Sequence, residues 1–198
     1  MTADIAARIS VAVMQSQPVN GIRIVGVDGP SGSGKSFLAA ELSTLLDAPI
    51  IEIDDFVSWD CFAGWWPRFD EQVLTPLLAG RDAHYQARDW SDWYGSSLGE
   101  WKTQRWSRTV ILEGVTCTRR ETVGRLAYAI WMEAHAEMRF ARGMARDTAF
   151  PGKEDLWRRW MPSAIRKVWR HPLTPGALLR SGWQARLGTS GTGRKVTS

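Results

Sequence analysis

"GPSGSGKS", Gly29 to Ser36, follows the apolar run Ile22-Arg23-Ile24-Val25-Gly26-Val27-Asp28 and precedes Phe37-Leu38-Ala39-Ala40-Glu41-Leu42. The eight residues fit G-x-x-x-x-G-K-S/T, in which glycines let successive backbone N–H groups turn inward around phosphate oxygens. Within Gly29, Pro30, Ser31, Gly32, Ser33 and Gly34 the chain supplies the cradle, Lys35 reaches the β/γ-phosphates, and the Ser36 hydroxyl is placed to ligate Mg²⁺. A helix starting there turns its positive end toward the same anion. The flanks agree with this reading, since a β-branched run precedes the loop and Leu38, Leu42, Leu45 and Leu46 follow at helical spacing. The plain alternative is a Gly/Ser turn between strand and helix. ATP·Mg²⁺ is the expected donor.

The remainder of the chain reads as one α/β unit. At 198 residues it can bury about 70% of the surface its unfolded chain exposes. Asp4 to Gln15 spaces Ile5, Ile9 and Val13 four apart, which predicts an amphipathic first helix. Strands are expected at 48–53, 109–112 and 126–132, ending near Asp54, Glu113 and Glu133. Strands separated by helical stretches predict βαβ units, a central parallel sheet in a three-layer fold, and ligands beyond the carboxyl ends of the strands.

Between the strands expected at 48–53 and 109–112 lies an aromatic insertion, about 57–108, with seven of the twelve tryptophans. Val73, Leu74, Leu77 and Leu78 predict a helix closed by Gly80. The tryptophans suit either stacking on a base or sugar face or packing inside the insertion.

Two carboxylates and three guanidinium groups carry the chemistry. Asp54, just past an apolar strand, suits a base for the acceptor's proton, a carboxylate on a magnesium-bound water, or a helix N-cap. Strand alternation points Asp55 the other way. Glu113 suits ordering of the Mg²⁺ shell. Arg139, Arg142 and Arg146 fall at i, i+3 and i+7, on one helical face. Such forks fit phosphate oxygens, and equally a solvated face paired with Glu137 and Asp147.

The net charge of +4 conceals an asymmetry. Residues 1–155 hold 16 Lys/Arg against all 21 Asp/Glu, whereas 156–198 hold nine and none. The basic character therefore belongs to the tail, and nucleic acid is an expected partner only through it. No apolar run approaches a membrane span, and the N-terminus lacks a signal-peptide pattern, so the expected location is cytoplasmic. Cys61 and Cys117 give neither a disulfide framework nor a zinc spacing.

Together "GVDGPSGSGKS", "IEIDDF", "GWWPRFDEQVLTPLLAGRDAHYQARDW", "VILEG" and "EMRFARGMARD", spanning Ile22 to Trp160 in order, resemble the uridine kinase family of P-loop kinases. The resemblance implies a kinase body over 1–162, ATP·Mg²⁺ as donor, an Arg-bearing lid at about 137–160, and a nucleoside or similar small-molecule acceptor. It implies Asp54 as base, Arg142 and Arg146 as catalytic lid arginines, and Arg139 on the nucleotide. Acceptor contacts are implied for Asp54, Asp55, Arg68, Tyr85, Asp89 and Trp90.

The chain departs from that family on the acceptor side. Established members carry a Tyr where this chain has Val57-Ser58-Trp59, and a His where it has Ser91-Asp92-Trp93-Tyr94. From about Ala164 the family's acidic-aromatic element and last short strand give way to a basic, Gly/Ser/Thr-rich end, 163–198. A polyanion-binding tail and an altered reading frame both account for it, and the second leaves the sheet without its last strand. A nucleotide-switched binding protein with a basic tail is the competing function.

Overall fold

The computed structural model describes residues 2–58, 64–91, 95–147, 154–155, 157–158, 176–180 and 184–188. Trp59, Cys61, Trp93, most of the lid beyond Asp147 and most of the basic end lie outside the described residues.

Helix α1 (Thr2–Gln15) leads through a tight turn into β1 (Arg23–Asp28), the phosphate loop and α2 (Lys35–Leu46). Strand β2 (Ile50–Glu52) ends sooner than its apolar run suggests, because Ile53–Asp55 winds into a 3₁₀ turn. After the insertion come β5 (Thr109–Glu113), β6 (Tyr128–Glu133) and α5 (Ala136–Arg146). The sheet order is β2-β5-β1-β6-β7-β8, in which β7 (Gly176–Arg180) runs parallel to β6 and β8 (Gln184–Gly188) returns antiparallel.

The segment set apart at 163–198 thus contributes two strands to the same sheet. The edge that a lost reading frame leaves bare is filled by β7.

Strand alternation divides the core in two. Val25, Val27 and Ile111 face α1 and α2, packing with Ile5, Ile9, Val13, Leu38 and Leu42. Ile24, Val110 and Leu112 face the insertion, packing with Phe56, Trp65, Phe69, Leu74 and Leu77. Because both faces are covered, these strands are apolar throughout.

The insertion folds as a helical stretch and a hairpin. Short helices α3 (Trp66–Phe69) and α4 (Thr75–Leu78) are joined through a π-helical stretch, Asp70–Leu74. The expected apolar stripe holds, with Val73, Leu74 and Leu77 fully buried. Strands β3 (Ala83–Asp89) and β4 (Ser97–Gln104) pair antiparallel, with an irregularity between Gln86 and Arg88. Phe69 sits at the junction, edge-on to Phe56 at 5.1 Å and to Trp65 at 5.3 Å. Its truncation to Ala would cost about 3–5 kcal/mol.

Candidate functional site

The phosphate loop is shaped by its neighbours as well as by its own residues. Gly29 (φ 144°) and Gly32 (φ 76°) lie in backbone regions that favour glycine. A Cβ on Gly29 would stand 2.2 Å from the Met132 carbonyl oxygen, and one on Gly32 2.5 Å from that of Arg139. The loop is therefore wedged between the end of β6 and the backbone of α5.

Asp28, at the end of β1, is fully buried and fixes the loop from behind. Its carboxylate accepts from the Gly29 amide at 2.6 Å, from the Thr116 and Thr118 amides at 2.8 Å, and from the Thr118 hydroxyl at 2.7 Å. Burial pushes its carboxyl up, and these donors pull it back. Sequence reasoning passed over this residue, although an acid ending an apolar strand is itself a signal.

The cradle fits a phosphate chain. Ser33 Oγ is buried without a hydrogen-bond partner among the described residues. Lys35 is buried, with only a long 3.4 Å bond to the Pro30 carbonyl and a 4.0 Å approach to Glu113.

Glu113, at the end of β5, stands 4.0 Å from Lys35 and lines the same cavity as Ser36. Burial lifts its carboxyl to about 7, with Asp54 and Glu52 adding to the rise and Lys35 and Ser36 opposing it. Among the described residues no cluster of three His, Cys, Asp or Glu could hold a metal alone. Ser36 and Glu113 line one cavity and offer a hydroxyl and a carboxylate, a donor set that fits a Mg²⁺ arriving with phosphate oxygens and water.

Asp54 and Asp55 both reach the cleft, contrary to the alternation expected of a strand. The 3₁₀ turn is the reason, since successive side chains there diverge by about a third of a turn. Asp54 opens to solvent inside the concavity, and the protein packed around it raises its carboxyl while Lys35 and Arg146 pull it down. Asp55 is buried and turned to the hairpin, where Lys102 Nζ donates to its two oxygens at 2.8 and 3.0 Å. Burial, with the Asp55 carboxylate adding to it, pushes the Tyr85 hydroxyl pKa up. Lys102 left no mark in the sequence, because β4 carries no apolar alternation.

The three arginines of α5 part company. Arg139 is buried, donating from Nε to the Ala134 carbonyl at 3.1 Å. Arg142 donates from Nη1 to the Gly32 carbonyl at 3.2 Å. Arg146 pairs with Asp147 at 2.7 Å, the contact that most raises its guanidinium pKa, and lines the cleft, where Asp54 and Glu113 add to the rise. Both sequence readings meet in Arg146, which has an acidic neighbour and still lines the site.

One cavity of about 540 Å³ gathers Ser31, Gly32, Gly34, Lys35, Ser36, Asp54, Asp55, Trp90, Glu113, Arg142 and Arg146. Phe37, Glu52, Val57 and Ser58 also line it, and sequence reasoning had given them no role in the site. Trp90 donates its indole N–H to the Asp54 carbonyl at 3.0 Å.

Three expected acceptor contacts stand outside the cavity wall. Arg68 is a brace, donating to the carbonyls of Gln86, Asp55 and Phe56 and lying 4.7 Å over the Phe56 ring. Burial lowers its guanidinium to about 10. Tyr85 is buried beneath Asp55, and Asp89 is exposed, accepting from the Ser91 amide at 2.8 Å.

No family profile matches the chain. No curated protein matches it. Solved structures do. A structure described as a possible uridine kinase from Bacillus stearothermophilus aligns over 82% of this chain and 95% of its own, with 18% identity and a TM-score of 0.54. A D-glycerate 3-kinase from Cryptococcus neoformans var. grubii aligns over 94% and 98%, with 14% identity and a TM-score of 0.53.

The fold is that of the P-loop kinases. In a P-loop kinase fold the cavity lies where parallel-sheet ligands bind, beyond the carboxyl ends of β1, β2 and β5.

Proposed function

We propose that the protein is an ATP-dependent phosphotransferase that moves the γ-phosphoryl group to a hydroxyl of a nucleoside, uridine- or cytidine-like, or of a related small metabolite. The observation that carries this reading is the meeting of Lys35, Asp54 and Arg146 in one cavity at the phosphate loop. Phosphoryl transfer needs in-line positioning, neutralisation of charge and a place for the acceptor's proton.

Each need has a residue. The amides of 31–36 and Lys35 hold the phosphates, while Arg142 and Arg146 reach the same cavity from α5. Ser36 and Glu113 are the residues that would hold Mg²⁺, which would supply neutralisation of the phosphate charge. Asp54 takes the proton of the acceptor hydroxyl, its basicity set by the crowding that raises it and the two cations that lower it. Asp55, Val57, Ser58 and Trp90 form the wall next to Asp54, where the acceptor belongs. Among the described residues no helix is long and apolar enough to cross a membrane, and this reading takes the enzyme to work in the cytoplasm.

The test is an acceptor screen with the full chain, coupled to ADP release. Release that depends on an added nucleoside, sugar or hydroxy acid supports the proposal. Acceptor-independent release stimulated by RNA or DNA supports the nucleotide-switched alternative.

A further inference from the structure

Phe37 is 57% exposed, yet it lines the cavity. Val11, Met14, Leu45, Leu98, Trp101 and Met138 are also exposed apolar side chains, and none of them does. Lone apolar residues on a surface need no explanation, but an aromatic ring standing open inside a binding cleft does. Its neighbours on α2, Leu38, Ala39 and Leu42, are buried in the core, so Phe37 is turned away from it by the helix itself.

Position along the chain sets what Phe37 can meet. A phosphate chain gripped by the backbone up to Ser36 has its terminal end near Lys35 and Glu113. Its other end, carrying whatever the phosphates are esterified to, leaves along the start of α2. Phe37 is the next residue there. From α5 the planar Arg142 guanidinium and Gly143 line the same cavity.

We propose that Phe37 is a binding residue for the heterocyclic base of the nucleotide donor, presenting its ring to the flat face of the base. The inference rests on the donor-site reading above and adds the group that recognises the nucleoside end. Stacking on an aromatic side chain tolerates any base, so Phe37 contributes affinity for a nucleoside triphosphate without selecting adenine.

The experiment compares Mg²⁺-ATP with Mg²⁺-tripolyphosphate, which keeps the phosphates and lacks the nucleoside. Their dissociation constants are measured by calorimetry on the full-length wild type, Phe37→Ala and Phe37→Trp. The expected result is an about tenfold loss of ATP affinity in Phe37→Ala, with tripolyphosphate affinity unchanged and Phe37→Trp close to wild type. In Phe37→Trp, ATP should also change the fluorescence of the new indole more than tripolyphosphate does. Unchanged ATP affinity in Phe37→Ala overturns the proposal, as does a parallel loss for both ligands. A wild type that binds neither ligand overturns the donor site itself and this inference with it.

Discussion

Lys35 Nζ stands 4.0 Å from the Glu113 carboxylate, and both line one cavity with Ser36. The phosphate-binding cation and the proposed magnesium ligands thus form one unit, and its charge depends on a carboxyl near 7. Binding of Mg²⁺-nucleotide favours the carboxylate, so affinity should rise as pH increases from about 6 to about 8, with proton release. Glu113→Gln should flatten that dependence. In the free protein the sign is opposite: between the unfolded value of 4.5 and about 7 the folded state holds the extra proton, so stability falls as pH rises through that window. Urea midpoints across the window check it, and a wild-type curve no steeper than that of Glu113→Gln counts against the shift.

Lys35→Ala removes the cation aimed at the β/γ-phosphates and should lower turnover by about 10²-fold or more. Circular dichroism should be unchanged. Wild-type turnover in this variant would remove Lys35 from the transfer step.

Asp54→Asn and Asp55→Asn should separate by kind of defect. The first should reduce kcat by about 10² or more with little change in ATP affinity, because a base acts on the acceptor's proton. The second breaks the Lys102 pair, a partly exposed contact worth about 1 kcal/mol, and should weaken hairpin stability and acceptor KM more than kcat. Equal losses of kcat in both would show that the two carboxylates share one role.

Arg142→Lys and Arg146→Lys keep the charge and lose the planar fork. Transfer should fall in both, since a point charge cannot reproduce two parallel hydrogen bonds. Arg146→Lys also weakens the clasp on Asp147, which accepts from the Trp157 indole at 2.8 Å. Full activity in both Lys variants would make the α5 arginines a surface feature.

Deleting 182–198 removes β8 and leaves β7 as an unpaired edge. The shortened chain should melt earlier, by about 2–4 °C for each kcal/mol lost, and aggregate more readily. An unchanged melting curve would mean that β8 adds nothing to the sheet.

What the sequence discloses follows the physics of each element. Strands covered on both faces are uninterrupted apolar runs, so β1, β2, β5 and β6 are readable, and the glycines of the phosphate loop announce a backbone that no other residue tolerates. The β3–β4 hairpin was not anticipated. Its inward positions include Ala83 and Ala87, too small to mark a buried face, and β4 is largely exposed. The acceptor end is obscured for a related reason: Asp55 with Lys102 and Arg68 with Gln86 join residues distant in sequence, and no local pattern encodes them. The short β2 shows the converse, where an apolar run outlasts the strand and the 3₁₀ turn reassigns two carboxylates.

Asp28 carries a consequence for how the binding loop comes into being. The octapeptide after it looks self-contained, yet the carboxylate that anchors its first glycine is completed by amides 88 and 90 positions further on. A growing chain emerging in order from a ribosome would expose the whole motif long before Thr116 and Thr118 exist. Loop closure over that distance must come first. Competence for nucleotide would be acquired late in synthesis, and an amino-terminal fragment carrying the entire motif should remain unable to grip a triphosphate.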